Sequence, residues 1–288
     1  MVWAPQWQEM IPMSDPLFRK AMLDLRGQVL GWGLGMGAML ALTVTLFPSI
    51  SDLYGELLSE LPDTWAGLIG DGDLSTLAGY LSVEFFSYAP IAFAVFAILA
   101  GGALIVGEET NGTMDLLLSQ PVTRLRFALV KLSAFTVSLV LIVGITSIGF
   151  VIAALLIGEA SSLGRFFNAF LLLLPFQMMV ALAAAMLAQL FASRLAGGTI
   201  LAGVLVVSYM LDALSGVSQM LVDLRPIYLT SYFQGVEALN GDVSWGYLGV
   251  SLIAVGVLAI ANVAFFVRRD IAVGGVLHLP KPAIPWSR

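Results

Sequence analysis

Apolar residues along the chain gather into six runs, separated by short strips of polar and charged residues. A bilayer core about 30 Å thick takes about 20 helical residues, and each run meets that length. The runs lie at roughly 28–50, 87–106, 126–157, 166–191, 196–214 and 245–267. The third is long enough to tilt or to project beyond the bilayer. The pattern predicts one all-α integral membrane domain over 1–288, with six transmembrane helices.

The strips between the runs differ in charge. Arg19, Lys20 and Arg26 precede the first run, and Arg124, Arg126 and Lys131 lie around the start of the third. Arg194 lies between the fourth and fifth, and Arg268, Arg269, Lys281 and Arg288 follow the sixth. Eleven of the 13 basic residues thus fall on one side, and only Arg165 and Arg225 on the other. The positive-inside rule makes the crowded side cytoplasmic and puts both termini there, in the cell membrane. The loop at 51–86 carries no Lys or Arg but holds Asp52, Glu56, Glu60, Asp63, Asp71, Asp73 and Glu84. The first ten residues, MVWAPQWQEM, carry no positive charge, so the first run reads as a spanning helix that also directs insertion.

Several strips predict structure of their own. Phe18, Met22 and Leu25 recur at helical spacing among basic residues, with Ser14 and Pro16 suited to a helix start. Residues 14–27 therefore predict an amphipathic interfacial helix on membrane lipid, the alternative being a plain extension of the first span. GWGLGMG at 31–37 holds two overlapping small-xxx-small pairs, Gly31/Gly35 and Gly33/Gly37, which let another helix approach closely. In the 51–86 loop, Leu53, Leu57 and Leu61 have helical spacing, Pro62 breaks the run, and Asp73 can cap a helix leading into span two. A helical extracytoplasmic cap is expected there. DGDLS at 71–75 resembles the start of a calcium loop, but Thr76 and Ser82 stand where such a loop needs Gly and Glu. Residues 215–245 read as a re-entrant helix or an outer lid, and residues 268–288 as a cytoplasmic tail.

Composition removes several chemistries. The chain is 59% hydrophobic and 11% charged, with a mean hydropathy of +0.95, against about 25% charged residues in an average soluble domain. Without cysteine, thiol catalysis and disulfides are excluded, and His278 is the only histidine. No bound metal or nucleic-acid partner is expected. No ionisable residue lies near the middle of a predicted span, which disfavours proton coupling. Gln177 and Pro175, mid-span in the fourth run, read as packing and kink residues. No G-x-x-x-x-G-K-[ST] occurs, so the chain lacks its own ATP site. LSGVSQ at 214–219 only superficially matches a transport-ATPase signature. The adjacent Glu108 and Glu109 suggest an intramembrane protease, but Thr113 and the histidine-free spans argue against it. The chain is expected to be no enzyme.

One strip is organised out of proportion to its length. Residues 107–124 read GEETNGTMDLLLSQPVTR. Glu108 and Glu109 stop the second span. Gly112 redirects the chain, and Asn111 or Thr113 can cap a short helix beyond it. Asp115 suits the first turn of that helix, and Met114, Leu117 and Leu118 form one apolar face. Gln120-Pro121 ends it, Thr123 is placed to cap the third span, and Arg124 and Lys131 can snorkel to headgroups. So short a helix needs something to dock on. That can be lipid, its own bundle, or a groove on a soluble partner.

This strip resembles the segment after the second span in ABC-2 type transporter permeases, E-E-x-x-G-T-x-[DE]-x-L-x-x-x-P-[VI]-[ST]-R. Glu108, Glu109, Gly112, Thr113, Asp115, Leu117, Pro121, Val122, Thr123 and Arg124 match, while Thr110 and Asn111 stand where relatives often carry an acid and a base. EALNG at 237–241 and the acidic first outer loop extend the likeness more weakly. The resemblance implies that the strip is a coupling helix seated on a cytoplasmic ATPase subunit, with Glu108, Glu109, Gly112, Thr113, Met114, Asp115, Leu117, Leu118, Pro121 and Arg124 at that interface. It also implies a dimer with a second or homologous permease, ATP and Mg bound only by the partner, and export of small antibiotic- or drug-like molecules. The apolar, aromatic-bearing spans lean toward hydrophobic cargo. The alternatives are a membrane-anchored scaffold for an ATPase, and an ATP-independent carrier or channel.

Overall fold

A computed structural model describes residues 16–60, 75–114, 122–159 and 163–268, the side chains of 52–60 excepted. The long helices are α1 (Pro16–Glu60), α3 (Ala89–Ala103), α5 (Arg124–Ile157), α6 (Leu163–Phe191), α7 (Arg194–Ala213) and α10 (Trp245–Arg268). Short helices link them: α2 (Leu77–Leu81), α4 (Val106–Thr110), α8 (Gln219–Asp223) and α9 (Gly235–Asn240). Six helical stretches are long and apolar enough to cross a membrane: Pro16–Ser51, Leu77–Ala103, Arg124–Ile157, Leu163–Phe191, Arg194–Gly216 and Trp245–Arg268. No strand occurs among the described residues. The protein is an all-α, multi-pass integral membrane protein.

Three expectations need correction. Residues 14–27 do not form a separate interfacial helix; from Pro16 onward they are the first turns of α1, which runs unbroken into span one. Their apolar face is covered by protein, because Phe18 and Ala21 pack with Val130 and Ala134 of α5. Span two begins at Leu77, earlier than its apolar run suggests, and passes through a π-helical turn at Ser82–Phe86. Ser82 falls in the predicted 51–86 loop and Ser87 at the start of the predicted span, but Ser82 donates to the Gly79 carbonyl at 2.6 Å and Ser87 to that of Val83. Hydroxyls that bond back to the helix hide their polarity from lipid. The cap of α2 is Thr76, whose hydroxyl accepts from the Gly79 N–H at 3.1 Å, and Asp73 lies outside the described residues. The backbone of 53–60, with Leu53 and Leu57 of the leucine run, is the last part of α1, whereas Leu61, residues 71–74 of the DGDLS stretch and the tail after 268 also lie outside the described residues.

Lipid tails are as apolar as leucine, so a helix in a membrane gains little by merely being greasy. Close backbone approach and a few buried hydrogen bonds hold such bundles together. α6 is the hub, packing against α3, α5, α7, α9 and α10, while α1 runs along α5. Gln177 of α6 donates to the Pro90 carbonyl at 2.9 Å. Gln189 of α6 donates to Asn262 of α10 at 2.8 Å, and Asn262 donates back to the Leu182 carbonyl at 3.0 Å. Rings fill the remaining space, with Phe150 against Phe166 at 4.4 Å and Phe96 stacked on Phe135 at 5.6 Å.

The small-residue stripe of α1 is split by function. Gly33 and Gly37 face α5, where a Cβ would meet Ile145 at 3.0 Å and 3.3 Å, whereas Gly31 and Gly35 face open space. α1 and α5 come closest at Gly149 of α5, where a Cβ would lie 2.5 Å from the Gly37 carbonyl oxygen. Backbone cannot give way as a side-chain tip can. Gly149→Ala is therefore expected to force α1 from α5 and destabilise the protein by about 1–3 kcal/mol. Gly144→Ala, on the same helix with nothing within 4 Å, should be neutral or slightly stabilising. Thermal unfolding of the two variants in the same detergent checks the pair.

Candidate functional site at the basic end of the bundle

The described part of the 107–124 strip is tied down by a reverse turn and a charge cluster. Helix α4 ends at Gly112, whose φ of +69° lies in the left-handed region that glycine adopts freely. The Thr113 N–H bonds the Glu108 carbonyl at 3.1 Å, and the Gly112 N–H bonds that of Glu109 at 3.2 Å. This pair of hydrogen bonds closes the helix end and reverses the chain. Glycine is the residue the turn requires, and it places Thr113 beside the side chain of Glu108.

Glu108 is buried, with 7% of its surface exposed. Its carboxylate accepts from Lys131 of α5 at 2.5 Å, from Lys20 of α1 at 3.4 Å, and from the Thr113 hydroxyl. Lys20 also bonds Asp24 at 3.2 Å, and Lys131 lies over the Phe127 ring, 5.8 Å from its centroid. Burial by itself would raise the pKa of Glu108. The hydrogen bonds from Lys131 and Thr113, with the charges of both lysines, overcome it and hold the carboxyl at about 2.

The cluster joins α1, α4 and α5 and revises two readings of the strip. Lys131 does not snorkel to headgroups; only 12% of its side chain is exposed, and it points inward to Glu108. Glu108 does more than end the second span, since it bridges the helices on either side of the strip. Lys131 lies several residues inside the apolar run at 126–157, and a lysine at that depth needs a carboxylate partner. That signal was present in the sequence and could have paired the two.

Of the other strip residues, Glu109 is half-buried, Gly112 exposed and Thr113 half-buried. Met114 is 2% exposed and belongs to the bundle's own core, one of the three docking places open to the apolar face. Val122 packs against the same core. Thr123 caps α5 as expected, its hydroxyl accepting from the Arg126 N–H at 3.2 Å, and Arg124 is the first residue of that helix. Asp115, Leu117, Leu118 and Pro121 lie outside the described residues. Both flanks of that short segment are anchored in the bundle, by Met114 on one side and Val122 on the other. A cavity of about 330 Å³ opens beside the cluster, lined among others by Lys20, Asp24, Gln28, Glu108, Asn111 and Arg194.

At the opposite end, the chain between α7 and α10 folds back onto the bundle. Asp212 accepts from Arg225 at 3.1 Å and from Thr230 at 3.3 Å. Phe233 packs on Phe176 of α6, 6.0 Å between ring centres, and Ala238 and Leu239 of α9 enter the core. Glu237 of α9 has a buried carboxylate oxygen without a hydrogen-bond partner. Burial pushes its carboxyl up, reinforced by Asp212 and opposed by a backbone hydrogen bond and Arg225. Gln177, which anchors the mid-span bond to Pro90, also keeps a buried oxygen without a partner.

The two carboxylates predict opposite pH behaviour. A carboxyl held low stabilises the fold above its ordinary value near 4.5, and that contribution fades as pH falls from 4.5 toward 2. Glu108→Gln should cost on the order of 3 kcal/mol at neutral pH, because it leaves Lys131 buried beside a neutral amide. Its deficit against the parent should shrink below pH 4.5. Glu237 is held high, so its protonated form favours the fold, and stability is lost as pH rises above 4.5. Glu237→Gln should therefore match the parent near pH 4 and exceed it at pH 8. Unfolding in detergent across that range distinguishes the two.

The family model described as the multidrug efflux system permease Rv1217c, C-terminal domain, matches residues 21–266. This match covers four of the membrane-crossing helices whole and nearly all of the first and last, Glu108 and Lys131 but not Lys20, and the folded-back segment around α9. No individual curated protein matches the chain. The match agrees with the resemblance of the 107–124 strip to ABC-2 permeases and gives the bundle its role in transport. The chain belongs to the family of multidrug efflux permeases defined by the Rv1217c C-terminal domain.

Proposed function

We propose that the protein is the non-catalytic transmembrane subunit of an ATP-driven exporter of the ABC-2 type. It sits in the cell membrane with both termini in the cytoplasm. Two permease chains, identical or homologous, form the pathway. ATP and Mg are bound and hydrolysed by separate cytoplasmic ATPase subunits, and this chain binds neither. The cargo is a hydrophobic small molecule of antibiotic or drug type.

The observation that carries this reading is the Glu108 cluster. A force applied to the segment between Met114 and Val122 enters the bundle at two anchored ends. From Glu108 it passes to α5 through Lys131 and to α1 through Lys20. An electrostatically linked pair of long helices can then move together, which is what conversion of ATPase closure into helix motion requires. A loose loop would absorb the push. The efflux family and the absence of an ATP-binding motif support the same reading.

Leu117 and Leu118 are assigned to the face that the ATPase covers. Full burial of a leucine side chain contributes roughly 1.5–3 kcal/mol. Replacing both by aspartate is expected to lower ATPase co-purification at least tenfold while leaving membrane insertion unchanged. Undiminished co-purification would refute the coupling assignment. Retained co-purification without cargo-stimulated hydrolysis would favour a scaffold instead.

A further inference from the structure

We infer that the face where α1, α3 and α7 meet at the basic end binds cargo of one chemical class, a single-tailed amphiphile with an anionic head group. The inference rests on the export reading only in calling the occupant cargo. Two cavities meet on this face. The one beside the Glu108 cluster, about 330 Å³, has a mixed lining that includes five charged residues, whereas its neighbour, about 550 Å³, is lined mainly by apolar side chains of α3 and α7. Gln28, Ala103 and Arg194 line both. Each is of the size that holds a small ligand. Joined, they form one site that is polar at one end and apolar along the rest.

The apolar walls are open to the side. Val95 and Leu99 of α3 and Leu195 of α7 are 44%, 63% and 77% exposed. An alkyl tail can enter from the adjoining leaflet without passing through water.

The sign of the head group follows from the charges. Lys20, Lys131 and Arg194 face Asp24 and Glu108, an excess of one positive charge. Both lysines are committed to the carboxylates. Arg194 makes no ion pair among the described residues, and its side chain is exposed at the junction of the two cavities. It is also the first residue of a 20-residue helix, directly after the capping Ser193, where the helix dipole favours an anion. The chain holds Arg194 there through a tight turn. Ala192 takes a φ of 47°, and the Ser193 N–H bonds the Ala188 carbonyl at 3.1 Å. A cationic head would meet Arg194 with like charge, and a neutral head would leave its guanidinium unanswered. A phosphate or carboxylate head can take its paired donors.

The chain has no cysteine, so Thr199→Cys places a single thiol in the apolar cavity. Its labelling rate is measured in nanodiscs of phosphatidylcholine with dodecyl phosphate, dodecyltrimethylammonium or dodecanol. Dodecyl phosphate is expected to protect the thiol at concentrations about tenfold below those of the other two, the usual contribution of one charge-assisted hydrogen bond. Arg194→Gln should remove that preference and Arg194→Lys should retain most of it. Equal protection by all three probes, or a preference untouched by Arg194→Gln, overturns the proposal. Protection by phosphatidylglycerol discs alone, with none added by the probe, would make the groove a lipid site and overturn it too. Spontaneous disulfide-linked dimers of the thiol variant that block the probe would assign the face to a second copy instead. None of these readouts needs ATP or flux, so failure of the export reading would leave them intact.

Discussion

A single buried carboxylate ties together the basic end of the bundle. Glu108 holds lysines from two different helices and the threonine of its own reverse turn. Its energetics are asymmetric. The exposed half of the arrangement, Lys20 with Asp24, is screened by solvent and contributes little. The bond to Lys131 is shielded, and neither partner tolerates loss of the other. The cluster is therefore a selective joint. It fixes α4 to α5 firmly and holds α1 through the more exposed Lys20.

The rest of the bundle is built under a different constraint. In lipid, apolar contact between helices replaces contact with equally apolar tails, so cohesion depends on fit. The Gly149–Gly37 crossing brings two backbones together, and the rings of Phe86, Phe150, Phe166 and Phe170 close the gaps around α6. Polar links are few: Gln177 to the Pro90 carbonyl, and Gln189 with Asn262. Each joins α6 to a different neighbour. α6 thus sits at the centre of the bundle, while α1 packs mainly along α5, which is itself joined to α6 through Phe150 against Phe166 and Phe170.

Much of this was legible in the sequence because a membrane imposes so simple a rule. The six runs appear as six crossing helices, since length and hydropathy alone decide that choice. Thr123 caps α5 and Gly112 turns the chain because both depend on local chemistry. Pairing at a distance was hidden. Lys20 and Glu108 are 88 positions apart, and nothing in either neighbourhood names the other. Burial of Phe18 and Ala21 against α5 was hidden for the same reason: an amphipathic face predicts that something covers it, not whether that is lipid or protein. The early start of span two escaped because Ser82, Ser87 and Glu84 look polar to a hydropathy scale, while the serine hydroxyls are already spent on backbone carbonyls.

The two ends of the molecule differ in how they hold charge, and this bears on direction. At the basic end the Glu108 carboxylate is fixed as an anion across any pH a cell experiences, because its partners are cations and hydroxyl donors. At the other end Glu237 is buried beside Asp212, with Arg225 already bonded to Asp212, and its protonated form is favoured. The first arrangement does not respond to protons near neutral pH. The second does respond, and it lies on α9, which covers that end of α6 through Phe233, Ala238 and Leu239. Ionisation of Glu237 weakens the seating of that cover, because one of its carboxylate oxygens is buried without a hydrogen-bond donor and Asp212 carries like charge.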